Sequence, residues 1–220
     1  MISRIVPLKK LSDAGRWRAA VYLHGDDDIV STKYTVKALA DVVQESTTAT
    51  SPSEFRGGRF YYIGLEHVEP ITGDPIDVAI VGPGEVRSRS KVFKRGDVLF
   101  ARLRPYLRKV LLVEEPFMEG LCSTEFIVLR PRSTSVSASF LRALLSSRLV
   151  AEHLGRFQAG AALPRISAKD LLTLKIPVPK KTIQDATVAR LEKLKHKRQA
   201  IKQQLIDLAD EQENIINGFF

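Results

Sequence analysis

The chain has 220 residues, of which 44% are hydrophobic, and its 34 Lys and Arg against 25 Asp and Glu give a formal net charge of +9. This composition is sufficient for a buried core and excludes an intrinsically disordered chain, while the basic excess indicates a polyanionic partner, nucleic acid before an anionic membrane surface. A single cysteine excludes an internal disulfide framework and a multi-thiolate metal site, and four scattered histidines form no zinc signature. A solvated basic surface without a partner is the alternative interpretation.

The first half of the chain is predicted to be mostly short extended segments. Residues 1–33 are interpreted as an N-terminal arm, without an apolar run long enough for a signal peptide. The apolar spacing of residues 35–45 predicts a short amphipathic element, and the aromatic and β-branched residues of 59–68 predict a strand. A further extended segment is expected at 77–81. No window is apolar enough for a transmembrane helix, so the sequence predicts a cytoplasmic protein.

The segment from Arg87 to Lys109 holds nine basic residues against one acid, Asp97, so nearly all of the net charge is local. Gly96 and Asp97 separate two apolar stretches, which predicts a turn that leads into a buried strand. A second short strand is expected at Lys109–Val113. Local charge of this size, supported by a strand and turn framework, indicates a surface that contacts an anion.

The second half of the chain changes from strand to helix patterns. Residues 121–131 are predicted to be one strand that Pro131 ends, and the apolar spacing of 138–157 predicts one helix. Ser167 is expected to be the N-cap of a further short helix, followed by an extended piece at 175–180. The predicted fold is therefore α+β, with a mixed α/β globular domain over residues 34–181.

A long helix is predicted for residues 182–217, because no Pro or Gly occurs from Gln184 to Asn217. Apolar residues follow steps of three and four, interrupted by Arg198 and Gln212, as in a heptad seam. About 33 helical residues span about 50 Å, and such a helix must pack on another helix or on its own domain. The seam residues expected to pair with a partner helix are Leu191, Leu194, Ile201, Leu205, Leu208 and Ile215.

The sequence lacks the familiar catalytic motifs: it contains no phosphate-binding glycine loop, no nucleophile elbow and no zinc-protease pattern. Cys122 lies within an apolar stretch, which favours a buried structural cysteine over a nucleophile. The carboxylates between Glu66 and Asp77 flank a turn and show no nuclease spacing. A nuclease with unrecognised carboxylates stays as a minor alternative, and no metal or cofactor is expected on this chain.

Two segments are candidates for contact with double-stranded DNA. The first is the basic segment, in which Arg side chains can pair with guanine or with phosphate. The second is the loop 158–167, whose small residues allow close approach of a ligand to the backbone. Alternatively, Arg102 or Arg104 pairs with an acid such as Glu125, and the loop is an ordinary connection. The candidate DNA-binding residues are Arg87, Arg89, Lys91, Arg102, Arg104, Tyr106, Arg108, Lys109, Gln158 and Arg165.

An ordered set of motifs from Tyr34 to the C-terminus resembles the specificity subunit of type I restriction-modification systems. The strongest part is "GDVLFARLRPYLRKV" followed by "CSTEF", with "YYIGLEHVEPITG" before it and "GAALPRISAKDLLTLKIPVP" and the heptad helix after it. The resemblance implies a non-catalytic subunit with a target recognition domain that binds DNA. It also implies a methyltransferase partner that carries the S-adenosylmethionine, and a possible restriction subunit.

The chain resembles half of such a subunit, with one recognition domain and one helix. Two copies related by a two-fold axis would pair their helices antiparallel and bind an inverted, interrupted repeat, with the helix length setting the gap. A homodimer is therefore expected. A scaffold with a coiled-coil helix and a nonspecific basic surface is the alternative.

Overall fold

The computed structural model of the chain describes residues 33–55, 58–132, 134–157 and 163–220. These residues fall into two units, which are divided between Pro179 and Lys180. The N-terminal arm predicted for residues 1–33 lies outside the described residues except for Lys33. No helix among the described residues is both long and apolar enough to cross a membrane.

The first unit contains every strand that the described residues form. In chain order its elements are β1 Val36–Ala38, α1 Leu39–Val42, β2 Val43–Ser46, β3 Ala49–Thr50, a 3₁₀ turn Pro52–Glu54, β4 Phe60–Ile63, β5 Ile80–Val81, β6 Ser90–Lys94, β7 Val98–Ala101, a second 3₁₀ turn Pro105–Leu107, β8 Val110–Leu112, β9 Glu119–Cys122, β10 Phe126–Pro131, α2 Ala138–Leu145, α3 Arg148–Gly155, α4 Ala168–Leu172 and β11 Lys175–Pro177.

Two sheets share one apolar core. The first is antiparallel, with strand order β2-β10-β7-β8, and the second has the order β3-β6-β9-β4-β5, in which only β4 and β9 run parallel. The chain crosses between them four times, from β2 to β3, from β6 to β7, from β8 to β9 and from β9 to β10. Phe93 of β6, Leu99 of β7, Cys122 of β9 and Phe126 of β10 are buried in a single cluster. The crossing from β6 to β7 places these two strands in different sheets, so they do not pair with each other. The strand–turn–strand segment that they form, which we call the basic hairpin, lies at the junction of the two sheets.

The segment 121–131, predicted to be one strand, is two strands that belong to different sheets. The chain turns at Ser123, whose carbonyl accepts a hydrogen bond from the Phe126 amide at 3.0 Å and whose hydroxyl accepts one from the Glu125 amide at 3.2 Å. Leu121 and Cys122 before the turn and Phe126–Leu129 after it are apolar and buried, so periodicity alone could not reveal the bend. The single-strand prediction was wrong because a local serine turn competes with continued pairing.

The single helix predicted for residues 138–157 is also two elements, α2 and α3. The Ser147 hydroxyl accepts a hydrogen bond from the Val150 amide at 3.3 Å and so begins a second helix, just as Ser137 begins the first one. An N-cap of this kind stabilises a new helix start by about 1 kcal/mol. The apolar spacing continues across the break, since each helix buries apolar residues of its own.

Other predictions differ mainly in extent. The strand at 59–68 is confirmed only as β4, the segment 77–81 is confirmed only as β5, and residues 35–45 form a strand, a helical turn and a strand. The helix start at Ser167 is confirmed, since its hydroxyl accepts a hydrogen bond from the Asp170 amide at 3.0 Å.

The second unit is dominated by one helix, α5, from Lys181 to Asn217. Its 37 residues give a length of about 55 Å at 1.5 Å per residue. The predicted fold class, a mixed α/β domain followed by a long C-terminal helix, is confirmed.

Candidate nucleic-acid interface

The turn of the basic hairpin is built around Asp97, the acid of the segment. Gly96 adopts a φ of +85°, which a side chain would strain, and so lets the chain reverse between β6 and β7. The Asp97 side chain is 1% exposed, accepts a hydrogen bond from the Lys94 amide at 2.8 Å, and receives two from Arg130 at 2.8 and 2.9 Å. These hydrogen bonds raise the pKa of Arg130. Asp97 is thus a structural anion that fixes the hairpin.

Lys91 and Lys109 direct their ammonium groups to internal carbonyls. The Lys91 ammonium donates to the Phe126 carbonyl at 2.8 Å and lies 3.7 Å from Glu45. The Lys109 ammonium donates to the Leu65 carbonyl at 2.7 Å. Both side chains are at least partly buried, so they tie neighbouring loops and strands to the hairpin.

Arg87 and Arg89 lie at the start of the hairpin and are exposed. The Arg89 guanidinium donates to the Ala49 carbonyl at 3.2 Å, which holds its stem along strand β3. Farther along, Lys94 and Arg95 each have an acid within 4 Å, Glu119 at 3.8 Å and Glu115 at 3.7 Å. The basic residues behind the net charge of +8 are therefore of three kinds: lysines that donate to internal carbonyls, cations that lie beside an acid, and exposed arginines.

The most unusual backbone of the segment lies at Arg104–Arg108, which we call the arginine turn. Arg104 and Arg108 have φ values of +49° and +54°, a left-handed conformation that costs a non-glycine residue about 1–2 kcal/mol. Between them Pro105 is buried and Tyr106 is 52% exposed. Strain of this kind persists only where the surrounding structure enforces it, and it concentrates at functional sites.

The arginine turn is held by two neighbouring loops. The Arg104 amide donates to the Pro164 carbonyl at 2.8 Å, and the Leu107 carbonyl accepts a hydrogen bond from the Ile71 amide at 3.0 Å. Leu103 forms an isolated β-bridge with Arg165, so the loop before α4 lies beside the turn. The two candidate segments of the sequence are thus neighbours in space, although Gln158 lies outside the described residues.

Arg102 and Arg165 differ in how their charge is used. Arg165 forms an ion pair with Glu125, with its Nε 3.1 and 3.2 Å from the two carboxylate oxygens and Nη2 at 3.1 Å. The acid considered as a partner for Arg102 or Arg104 is therefore bound by Arg165. Arg102 is half-buried, and its Nε is buried without a hydrogen-bond partner.

Sequence reasoning did not identify the ion pairs that organise this surface. Glu125 lies 40 residues before Arg165, and Asp97 lies 33 residues before Arg130. Arg142 similarly donates to the Thr72 carbonyl and lies 3.9 Å from Asp74. Nothing in the local pattern marks which acid meets which base, because strand crossings between the two sheets bring them together.

Cys122 is completely buried in the core, as its apolar setting predicted. Burial raises the pKa of its thiol to about 12 and so disfavours the thiolate. Burial likewise raises the pKa of the Tyr62 phenol. In the part of the chain that the structure describes, no three His, Cys, Asp or Glu side chains are grouped so that they could hold a metal ion.

Residues 32–209 match the family model described as the type I restriction modification DNA specificity domain. The chain belongs to this family. The specificity domain is 25% identical over 133 residues to the Type I restriction enzyme EcoDI specificity subunit of Escherichia coli, and 28% identical over 104 residues to the HindI specificity subunit of Haemophilus influenzae. These alignments cover 60% and 46% of the chain but only 29% and 22% of the two relatives.

Solved structures of low sequence identity share the fold. The HsdS subunit from Thermoanaerobacter tengcongensis is 24% identical, with a TM-score of 0.67 over 79% of this chain and 45% of that one. A chain from a study of complex assembly and conformational transition in the type I R-M system has the same coverage and a TM-score of 0.68. The specificity domain therefore spans less than half the length of the solved chains it matches.

Proposed function

We propose that this chain is the DNA-recognition part of a type I restriction-modification specificity subunit. It binds double-stranded DNA, carries no catalytic residues or cofactor, and directs partner methyltransferase and restriction subunits to a bipartite site. Family membership supports the assignment to a type I restriction-modification system. The curated relatives are named as subunits of type I restriction enzymes, which supports the proposed partner subunits. The observation that carries DNA recognition is the arginine turn, a rigid exposed loop with two arginines and a tyrosine.

The arginine turn is suited to contact base edges. Its strained backbone is fixed by hydrogen bonds to two loops, so Arg104 and Tyr106 are presented without the entropic cost of ordering a flexible loop. A guanidinium held in one orientation can donate two hydrogen bonds to a guanine in the major groove, which discriminates by about 1–3 kcal/mol.

Arg87 and Arg89 are suited to contact phosphates. They are exposed and lie just before strand β6, and the hydrogen bond from Arg89 to the Ala49 carbonyl holds its side chain along strand β3. Contacts of this kind position a protein on the duplex and carry no sequence information. Replacing both arginines by alanine is expected to reduce the salt dependence of DNA binding by a log–log slope of about 1–2, with the preferred sequence unchanged. A preferred sequence that changes would assign these arginines to base contacts instead.

We further propose that two copies associate through α5. Its seam residues Leu191, Leu194, Ile201, Leu205, Leu208 and Ile215 are between 41% and 63% exposed. Exposure of such a row of apolar side chains to water is unfavourable, and packing against a second helix would remove these side chains from solvent. A two-fold dimer places two recognition domains on one duplex, which gives the bipartite site.

The test is a selection of bound duplexes from a random DNA library, performed at low and at physiological salt. An enriched inverted repeat with a fixed gap is the expected result. Enrichment of a single short half-site would support recognition and contradict the dimer. If no sequence is enriched at either salt concentration, while the chain still binds DNA, DNA specificity by this chain is contradicted.

A further inference from the structure

The loop between strands β4 and β5 has an isoleucine at its tip, Pro70–Thr72, which we call the isoleucine tip. Ile71 is 57% exposed, and its amide donates a hydrogen bond to the Leu107 carbonyl at 3.0 Å. The isoleucine tip and the arginine turn are therefore in direct contact. Ile71 is not among the candidate DNA-binding residues that the sequence predicted, so its position is a finding of the structure alone.

The backbone of Ile71 is strained. A single exposed apolar side chain is ordinary on a protein surface and by itself indicates nothing. Ile71, however, has a φ of +69°, and the Thr72 amide donates a hydrogen bond to the Pro70 carbonyl at 2.7 Å. A hydrogen bond that spans three residues around a positive φ defines the rare, strained form of the γ-turn. A β-branched residue is an outlier in this conformation, whereas glycine adopts it freely.

The same loop has a glycine where the fold requires one. Gly73 has a φ of +66°, and a Cβ at this position would overlap the Val110 carbonyl oxygen. Ile71, two residues earlier, has nearly the same φ but a side chain that lies mostly in solvent. Glycine at position 71 would relieve the strain, so what the isoleucine contributes is an apolar side chain on the surface. Strain of this kind concentrates where a side chain serves a function.

The isoleucine tip is held by hydrogen bonds on both sides. The Gly73 amide donates to the Glu69 carbonyl at 3.0 Å, and the Glu69 amide donates to the Asp74 carbonyl at 2.9 Å. The Thr72 hydroxyl donates to the Glu69 carboxylate at 2.6 Å, and the Arg142 guanidinium donates to the Thr72 carbonyl. Because the tip is already ordered, a ligand that contacts it does not bear the entropic cost of fixing a flexible loop.

The chemistry of the tip suits a base edge rather than a phosphate. Pro70, Ile71 and Thr72 carry no charge, and the acids beside them, Glu69 and Asp74, would repel a phosphate. On the base edges of the major groove the apolar group is the C5-methyl group of thymine, which apolar side chains contact. The arginine turn, proposed above to contact base edges of this groove, lies against the tip.

We infer that Ile71 is a specificity-determining residue that packs against the C5-methyl group of a thymine in the major groove. This inference rests on the proposed function, since it requires the arginine turn to face the same groove. Ile71 then selects an A·T pair close to the base pair that Arg104 contacts. The strained, hydrogen-bonded backbone of the tip fixes the position from which the isoleucine meets the base.

The first test uses the full chain and the duplex enriched from the random library, with each thymine in turn replaced by deoxyuridine, which lacks only the C5-methyl group. At one thymine of the half-site the replacement is expected to weaken binding about fourfold, the effect of one methyl group that is no longer buried. Ile71→Ala keeps the Cβ and shortens the side chain, so the same replacement is expected to change its affinity by less than about twofold. A fourfold effect that persists in Ile71→Ala would overturn the inference.

Ile80→Ala is the matched control, because it makes the same substitution at another exposed isoleucine. Ile80 is 44% exposed on strand β5, where it pairs with Tyr61 rather than with the arginine turn. This variant is expected to retain both its affinity for the duplex and the full effect of the thymine methyl group. Loss of the thymine effect in Ile80→Ala as well would overturn the assignment of the methyl contact to Ile71.

The second test compares stability with recognition. Ile71→Gly relieves the left-handed backbone and is expected to raise the melting temperature by about 1–4 °C while it abolishes the thymine effect. Ile71→Val keeps a branched apolar side chain and is expected to retain most of the thymine effect. A lower melting temperature in Ile71→Gly would show that the isoleucine stabilises the loop, and would contradict the strain on which the inference rests.

The outcomes separate the inference from the proposed function. If no sequence is enriched, the proposed function fails and the inference fails with it. An enriched site that contains no thymine, or whose thymines can all be replaced by deoxyuridine without loss of affinity, leaves the proposed function standing and overturns the inference. Insertion of the isoleucine between base steps is a different mode of contact. It would weaken binding of Ile71→Ala to every duplex with the thymine effect unchanged, which also overturns the inference.

Discussion

The globular unit and the long helix use their apolar and charged residues in opposite ways. In the globule the apolar residues of two sheets are buried together, and several cations are tied to carbonyls or acids inside the structure. In α5 the apolar seam is exposed and the charges are separated by sign along the axis. The globule thus buries most of its apolar residues and pairs several of its cations internally, whereas the helix leaves its apolar seam exposed to a partner.

Asp97 is the buried acid of the globule whose replacement is expected to have the largest effect on stability. Asp97→Ala leaves Arg130 and the Lys94 amide without their acceptor, and we expect the free energy of unfolding to fall by about 2–3 kcal/mol. Denaturant unfolding monitored by Tyr fluorescence measures this change. Glu114→Ala at an exposed position is the control and is expected to stay within about 0.5 kcal/mol. A similar effect of both substitutions would show that Asp97 does not hold the hairpin.

Arg104 tests whether strain in the globule serves binding. Arg104→Gly relieves the left-handed backbone, and after allowing for the extra entropy of unfolded glycine we expect a gain of about 0.5–1 kcal/mol in stability. The same substitution removes a guanidinium that we propose to contact bases, and is expected to reduce discrimination of the preferred DNA sequence by about 1–3 kcal/mol. Thermal unfolding and competition binding to matched and mismatched duplexes measure the two effects.

Two variants separate the parts of that prediction. Arg104→Lys keeps the charge and loses the planar fork, so it is expected to retain affinity for any duplex and to lose sequence preference. Arg87→Ala keeps the turn and is expected to retain sequence preference. Unchanged discrimination in Arg104→Gly would remove the arginine turn from base recognition.

Arg198 tests whether the exposed seam of α5 is a dimer interface. It occupies a seam position between Leu194 and Ile201, and a charged residue there lowers the stability of a coiled coil while restricting its register. Arg198→Leu is expected to tighten the dimer about tenfold and to leave the unfolding of the globule unchanged. Sedimentation equilibrium measures the first effect, and Ala200→Leu at an outward position is the control. Equal tightening by both variants would mean that the dimer constant follows overall hydrophobicity.

The smallest expected effect concerns pH and Cys122. Burial raises the pKa of this thiol to about 12, from a usual value near 9. The stabilisation that comes from burying the neutral Cys122 thiol is therefore complete below about pH 9 and is lost as pH rises toward 12. Over this range the free energy of unfolding falls by up to about 1.4 kcal/mol per pH unit. Cys122→Ala is expected to be less stable at pH 8 but to lose less stability between pH 9 and 10. Identical slopes in both proteins, measured by denaturant unfolding, would contradict a buried neutral thiol.

The sequence by itself determined what depends on local chemistry. The pattern of steps of three and four, without Pro or Gly, is sufficient for α5, and the serine before an apolar run is sufficient for the start of α4 at Ser167. The turn between β6 and the buried strand β7 was also predictable, because Gly96 and Asp97 lie between two apolar stretches. The order of its motifs indicated the family.

Only the tertiary structure decided which basic side chains stay available to a ligand. Arg89 lies just before strand β6 and Lys91 lies two residues later within it, yet Lys91 donates to a buried carbonyl and Arg89 is exposed. Arg165 is paired because β10 brings Glu125 beside the loop before α4, and Arg104 is left-handed because Pro164 and Pro105 fix the turn. Charge along a chain is additive, but its availability depends on contacts between residues 30 or more positions apart, and no local pattern specifies those contacts.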